Sequence, residues 1–467
     1  MEPITREEYY LAKIAGTYEG NTPEPVTIEE YYLATMAGDY SGNTPQPVTR
    51  LQYYMAKVAG VWDGSIPAPV TRLEYYWAAI ASGEGKVFPP VTREEHFLVL
   101  VADAYSVVLT VVTGNPALLE NSKGNRGLES LTLYGKSTQG SAPSPSYPQE
   151  IENAGQSGEI GVQVYGGNLF DIRKASPWED AYGLQMSLDG EYITVKGVTT
   201  TTRYGNISFR ILGYPVNLYG NRFSLDIVKN VGTSKEYVYT SATENTLALS
   251  VVVDAKAAVE LKFRLMVNAG STALPYEPYK PAQKLIIPTS GGLPGIPVSS
   301  GGNYTDEKGQ QWVCDEVDFK KGVYVQRVAK ETPKTSFNVN ETVDVEGRYS
   351  FTSAFKNRYK NGGNKCLISH GIYGHWGIEK NTWAITSTAF IYSPAERTTV
   401  DKIKEKILSL INSDNPLTFL GQLETPIEIP LTTEQLAKYK ALRTYSPTTT
   451  VINDAGAGMS VGYAKMK

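Results

Sequence analysis

The sequence predicts a mainly β protein with an all-α repeat N-terminus: short tandem helices followed by antiparallel β-sandwich or jelly-roll-like modules. Three observations predict it. A unit of about 22 residues occurs five times at the front of the chain. Behind it, stretches of alternating apolar and polar residues recur between Gly- and Asn-rich turns. The composition, with 43 glycines, 27 prolines, 32 tyrosines and only 20% charged residues, suits turn-rich modules with aromatic surfaces. A disordered chain would be poor in aromatics.

Thr5, Thr27, Thr49, Thr71 and Thr92 are equivalent positions, spaced by 22, 22, 22 and 21 residues. Each follows a Pro and then Ile4, Val26, Val48, Val70 or Val91, and three residues later stands Glu8, Glu30, Gln52, Glu74 or Glu95. This is a capping box, in which hydroxyl and acidic (or amide) side chain satisfy each other's orphan backbone groups. The residue before the cap is expected to staple onto Tyr9, Tyr31, Tyr53 or Tyr75 one turn inside the helix; His96 takes that place in the fifth copy. Gly16, Gly38 and Gly60 close the first three helices.

Helices of about eleven residues are not stable alone in water, so their apolar faces must be covered. Those faces are Tyr10, Leu11 and Ile14; Tyr32, Leu33 and Met36; Tyr54, Met55 and Val58; and Tyr76, Trp77 and Ile80. The linkers are rich in Gly, Asn and Pro and read as semi-rigid spacers. The expectation is therefore burial against sister chains or another protein, in preference to a compact solenoid. Residues 1–91 hold four repeats and the start of the fifth. From 92 to 114 a longer helix is expected, with Leu98, Val101, Tyr105, Val108 and Val112 at 3-4 spacing as an oligomer seam, a trimer being favoured, or alternatively as a core helix packed under the next domain.

Residues 115–150 read as a Pro/Ser/Gly-rich connector. A β-sandwich module follows over 151–283, with strands expected at 161–165, 191–198, 206–212, 223–228, 236–240, 247–253 and 259–267. A second β-rich module over 284–467 carries strands at 310–319, 322–329 and 382–392. It also holds amphipathic helices at 400–411 and 432–442 and a terminal strand–turn–strand.

Several of these segments carry a resemblance. GGNLFD (166–171), GSTALPYEPY (270–279), YTDEKGQQWVCDEVDFKKGVYVQRV (304–328) and the run from Glu424 to Tyr463 resemble minor structural and tail-fibre-type proteins of phages that infect Firmicutes. The PVTREEYYLAKIAG-like repeat is similar to one at the front of fibre proteins in the same phages, some of them head fibres. The resemblance implies a virion surface protein, assembled in the host cytoplasm, oligomeric, with modules like carbohydrate-binding domains. It supplies no catalytic residues and does not separate head from tail.

The remaining signals exclude more than they assign. A formal charge of −4 and a pI near 5.7 leave no basic footprint for nucleic acid. MEPITREEYY is not a signal peptide, and the apolar stretch 97–112 is too short for a membrane span. No nucleophile elbow, phosphate loop or dinucleotide fingerprint is present, so no enzyme activity or cofactor is expected. His370 and His375 lack a third ligand at metal spacing, and no metal site is assigned. The acids of Asp315-Glu316-Val317-Asp318 are expected on an exposed strand face. Cys314 and Cys366 read as buried thiols, although a bridge between them is open.

Aromatic faces beside polar groups suit sugar binding. Trp178, Glu179, Asp180 and Tyr182 form one candidate glycan site, and Tyr373, His375 and Trp376 another. The expected function is thus a virion fibre, anchored by its repeats and presenting β-modules to a host-surface glycan. The alternatives are a decorating structural protein without a receptor and, third, a polysaccharide depolymerase.

Overall fold

The computed structural model describes residues 2–82, 89–104, 107–122, 124–174, 183–200, 205–212, 222–231, 233–235, 242–243, 246–253, 256–270, 272–333, 338–342, 348–352, 359–360, 366–374, 381–386 and 389–466. It is mainly β, with its helices concentrated at the N-terminus. Helices α1 (Arg6–Ile14), α2 (Ile28–Ala37), α3 (Arg50–Val58), α4 (Arg72–Ser82) and α5 (Arg93–Ala104) are the five repeats. Each begins as expected: the Thr hydroxyl accepts the N–H three residues on, at 3.1–3.2 Å in all five copies. The acidic or amide side chain returns the favour, Glu30 accepting from the backbone of Val26 at 2.7 Å and Thr27 at 3.4 Å. Gly16, Gly38 and Gly60 sit at φ of 70°, 79° and 76°, where a side chain would be strained. The N–H of the next residue then reaches back to Ala12, Ala34 or Ala56, ending the helix in a Schellman turn.

The helices pack side by side, and α5 packs on α1, so the repeats close into a ring within one chain. The arginine in the first turn of one repeat meets the capping glutamate of the next: Arg6–Glu30 at 2.8 Å, Arg50–Glu74 at 3.4 Å and Arg72–Glu95 at 2.9 Å. Arg93 closes the circle on Glu8 at 3.0 Å. At the second joint Ile28 replaces the arginine and Gln52 the glutamate, and the Gln52 amide donates to Glu29 at 2.7 Å. Both charges are thus absent from the same joint. Because every joint links the starts of two neighbours, all five N-termini lie at one end of the ring.

This overturns the expected burial between chains. Tyr10, Tyr32, Tyr54 and Tyr76 are fully buried, with Leu11, Leu33, Met55, Trp77 and Ile80 almost so, in one core inside the ring. Ile14 and Met36 pack against that core half-buried, and Val58 is 2% exposed within it. The linkers are not spacers either. They fold back, and the Tyr10, Tyr32 and Tyr54 hydroxyls donate to the carbonyls of Pro23, Pro45 and Pro67. Tyr9, Tyr31 and Tyr53 meet Tyr18, Tyr40 and Trp62 of the linkers edge-on, at 5.0–5.2 Å. The fifth copy has no linker to hold, and it carries Phe97 and His96 at these two places.

Those edge-on pairs also displace the expected staple. Ile4, Val26, Val48, Val70 and Val91 stand 68–76% exposed at the N-terminal end of the ring. The oligomer seam is corrected as well. Leu98 and Val101 are fully buried in the ring core, whereas Val108 and Val112 belong to the strand Val107–Thr113. A run of β-branched residues there prefers a strand to a helix, so α5 stops at Ala104; Tyr105 lies outside the described residues.

The body is a sandwich assembled from distant parts of the chain. One sheet runs Val107–Thr113, Gly458–Met466, Ser130–Tyr134, Glu316–Asp318, Val323–Glu331, Phe419–Pro430 and Leu367–Ile368. The other runs Gln283–Pro288, Glu159–Gly166, Thr448–Asn453 and Ala117–Glu120. Leu131, Leu133, Val317, Met459 and Val461 from the first meet Val162, Val164, Leu285 and Val451 from the second in a shared core. Two further helices are α6 (Val400–Ile411) and α7 (Thr433–Ala441), and Tyr439 of α7 closes this core. The supposed connector 115–150 therefore holds strands of both sheets, and a boundary at 283/284 would cut through one.

Two modules are inserted into this frame. Between the strands Glu159–Gly166 and Gln283–Pro288 lies a four-stranded sheet in the order Arg222–Val231, Ala258–Asn268, Tyr192–Val198, Leu184–Asp189, with a second sheet around Thr246–Val253. Between Val323–Glu331 and Phe419–Pro430 lies a five-stranded sheet, and Ile403 and Ile407 of α6 share a core with Trp383 and Phe390. The expected strand at 236–240 lies outside the described residues. Cys314 and Cys366 are buried free thiols. No helix among the described residues is long and apolar enough to cross a membrane.

Asp315, expected on an exposed face, is fully buried. The register between Val323–Glu331 and its neighbour shifts between Gln326 and Val328, leaving backbone donors without ladder partners. Asp315 accepts both of them, from Arg327 at 2.7 Å and Val328 at 2.8 Å, and the Tyr324 hydroxyl as well. Glu316 beside it is also buried, paired with Arg327 at 2.8 Å.

Opposite pH responses follow for ring and body. Arg93 and Arg6 hold Glu8 and Glu30 below the usual carboxylate range, against burial. For Glu74, burial is outweighed by the backbone donors and Arg50, and Arg72 holds Glu95 down to about 2. Depressed values mean stability present above about 4.5 and lost as pH falls through the folded values. Acid titration followed by far-UV circular dichroism should therefore melt the ring helices between about pH 4.5 and 2. Burial pushes Asp315 up to about 7, against its three donors. Its contribution is fully present below the unfolded value of about 3.9 and is lost as pH rises through about 7. D315N should flatten that part of the pH–stability curve, while D315A should cost about 2–4 kcal/mol by stranding two backbone donors.

The neutral joint gives a third test. Q52E alone should destabilise the ring by about 1–2 kcal/mol, facing Glu29 without a cation. I28R with Q52E should recover the loss, a coupling of about 1 kcal/mol or more in denaturant titrations.

Candidate functional site

The first inserted module carries a pocket whose walls come from two of the conspicuous motifs. Residues 168–173 form one wall, the segment 276–281 the opposite one, and Gly190-Glu191 at the hairpin tip the rim. The cavity measures about 370 Å³, within the range of small-molecule sites.

Asn168 holds the two walls together. Its amide donates to the carbonyl of Glu277 at 2.9 Å, and its oxygen accepts from Phe170 at 2.9 Å and Val267 at 3.2 Å. The side chain is 1% exposed, so its hydrogen bonds compete with no solvent. Gly167 allows the close approach: a Cβ there would collide with Thr448 and Glu277. Phe170 and Leu265 make the apolar floor.

The polar groups are few and paired. Asp171 accepts from Arg173 Nε at 2.8 Å and its terminal nitrogen at 2.9 Å. The Arg173 guanidinium lies 5.6 Å from the centre of the Tyr279 ring. On the other side Arg264 lies 4.2 Å from the Tyr276 ring and is paired with Asp226. The Tyr276 hydroxyl donates to Glu191 at 3.3 Å, and burial pushes this phenol up to about 12. Two tyrosines, each carrying a guanidinium against its ring, thus line an apolar hollow with carboxylates at its edge. Such a site can stack and hydrogen-bond a ligand.

The residues singled out from sequence fare unevenly. Trp178, Glu179, Asp180 and Tyr182 lie outside the described residues, as do His375 and Trp376. Tyr373 is half-buried in the short strand Ile372–Tyr373, and burial pushes it up to about 12. His370 is 1% exposed, its Nδ1 2.7 Å from the Ser369 hydroxyl, and burial lowers its pKa. His96 is exposed. No cluster of three metal-ligating side chains occurs among the described residues. The pocket residues Asn168, Asp171, Tyr276 and Tyr279 were legible only as parts of a resemblance; the clustering of Tyr, Pro and Glu in LPYEPY was the available signal.

No family model, curated protein or solved structure matches the chain.

Replacing Asn168 with Ala should strand three backbone groups and cost about 2–3 kcal/mol. Limited proteolysis should then cut within 274–281 well before global unfolding.

Proposed function

We propose that the chain is a virion attachment protein whose helical ring anchors it and whose β-body presents a saccharide-binding module to a host surface. The observation that carries this reading is the polarity of the molecule. At one end stands a self-contained ring whose only large exposed apolar side chains, among the described residues, are Ile4, Val26, Val48, Val70 and Val91. Five equivalent aliphatics in water serve no purpose in the ring's own core, and exposed apolar groups in a regular array are a mark of contact surfaces. Anchoring therefore falls to this rim; the helix faces first expected to do it are consumed by ring closure. The opposite ends of α1, α2 and α3 line a groove with Gly124, Arg443, Tyr445 and other residues of the β-body. The pocket lies in an inserted module, its wall at Tyr279 and Pro281 flanking Lys280 of that groove. The resemblance of the repeats and of the C-terminal run to phage fibre proteins supports the same reading.

Immunogold labelling of phage particles, combined with pull-down of the purified full chain on Firmicutes cell walls, tests it. Labelled particles and wall binding are expected, with wall binding lost after enzymatic removal of wall polysaccharide. Labelled particles without wall binding would instead make the chain a decorating protein. Unlabelled particles would refute the virion assignment. Changing the five rim residues to Ser should leave the melting temperature within a few degrees and abolish incorporation into particles.

A further inference from the structure

The charges around the pocket narrow what it can take. We infer that it binds a neutral saccharide, seating roughly one or two sugar rings, and discriminates against uronate- or phosphate-bearing glycans. The inference rests on the attachment reading and specifies its ligand.

Among the described residues whose charged groups line the pocket or pair with those that do, three carboxylates (Asp171, Glu191 and Asp226) meet two guanidiniums, Arg173 and Arg264. Glu277 and Lys280 of the same wall turn away, to Thr448 and Ser446. Both guanidiniums are already engaged. Arg173 binds both oxygens of Asp171; Arg264 binds Asp226 and lies 3.8 Å from Glu191. The local balance is one negative charge. Among the described residues at or beside the pocket, both guanidiniums are paired with carboxylates, so an anionic ligand would have to compete with Asp171 or Asp226 and would lose hydration uncompensated. A neutral polyol meets no such cost.

The remaining groups match that ligand. Tyr276 and Tyr279 are half-buried, each with an arginine against its ring, which fixes the ring in place. The C–H face of a pyranose packs on an aromatic face, and the carboxylates at the edge accept hydroxyl protons. Phe170 and Leu265 behind them are almost fully buried, so the interior repels a charged substituent.

Saturation-transfer NMR and calorimetric titration of the full chain test the inference. The neutral probes are oligosaccharides of glucose, rhamnose and N-acetylglucosamine; the anionic ones are oligogalacturonate and poly(glycerol phosphate). At least one neutral probe should bind at least tenfold more tightly than either anionic one. Tyr279→Ala should weaken it by tenfold or more, and the milder Tyr276→Phe severalfold, with unchanged melting curves. Glu191→Lys, which reverses the local balance, should raise affinity for the anionic probes. Equal or tighter binding of an anionic probe by the natural chain would overturn the inference, as would neutral binding indifferent to both tyrosine variants. If no probe binds while the chain still adheres to cell walls, the pocket assignment fails and the attachment reading survives. If adhesion is also absent, both fail.

Discussion

Each capping glutamate of the ring performs two tasks with one carboxylate. One oxygen accepts backbone donors at the start of its own helix, and the group also receives the arginine of the preceding repeat. Local capping and long-range assembly thus meet in a single side chain, 3–7% exposed in the four copies that carry it. A helix of nine to twelve residues would fray alone. Joined in this way, its cap is held by the neighbour and its tyrosine face is covered. Folding of one repeat and closure of five are therefore the same event, and the fifth repeat can complete it only because Arg93 finds Glu8 across 85 positions of sequence.

The body depends on return of the chain in a comparable way. The last strand, Gly458–Met466, pairs with the first, Val107–Thr113, directly after the ring. Thr448–Asn453 pairs with Glu159–Gly166 and Ala117–Glu120. Strands from both ends of the body thus clamp the frame. The inserted modules enter and leave it through adjacent antiparallel strands, and each returns to it: Leu367–Ile368 pairs at the sheet edge, and Tyr165 and Ile452 of the frame share the first module's core. Asp315 supplies the buried polar contact that such a frame tolerates, because the bulge opposite it offers donors that nothing else would take.

What could be read from sequence follows the range of the interactions involved. Caps, Schellman turns and both later helices were legible, since Thr5 with Glu8, or Thr432 with Gln435, are local pairs. The five longest strands of the first inserted module announced themselves by alternation, as in residues 258–268; in the second, only 382–392 was legible, and it is two strands rather than one. Ring closure was not read, although its signature was present: Ile28 and Gln52 depart from the repeat together, in neighbouring copies. His96 and Phe97 carried a similar message, being altered where no linker follows. The strand after α5 was missed because its valines also fall at helical spacing, and their β-branching should have decided the matter. Asp315 was misplaced because a bulge on a partner strand leaves no trace in the residues that satisfy it. The pocket was the least legible feature, since its walls lie about 100 residues apart and only the fold joins them.

Closure of the ring inside one chain can be measured directly. Spin labels at Glu7 and Glu94, both exposed, would lie on neighbouring helices, whose axes pack about 8–10 Å apart. Pulsed or continuous-wave electron resonance should give one short, narrow distance, unchanged when labelled chains are diluted tenfold with unlabelled ones. A short distance that vanishes on dilution would place the contact between chains, and a long, broad distribution would show α1 and α5 apart; either result would contradict the ring.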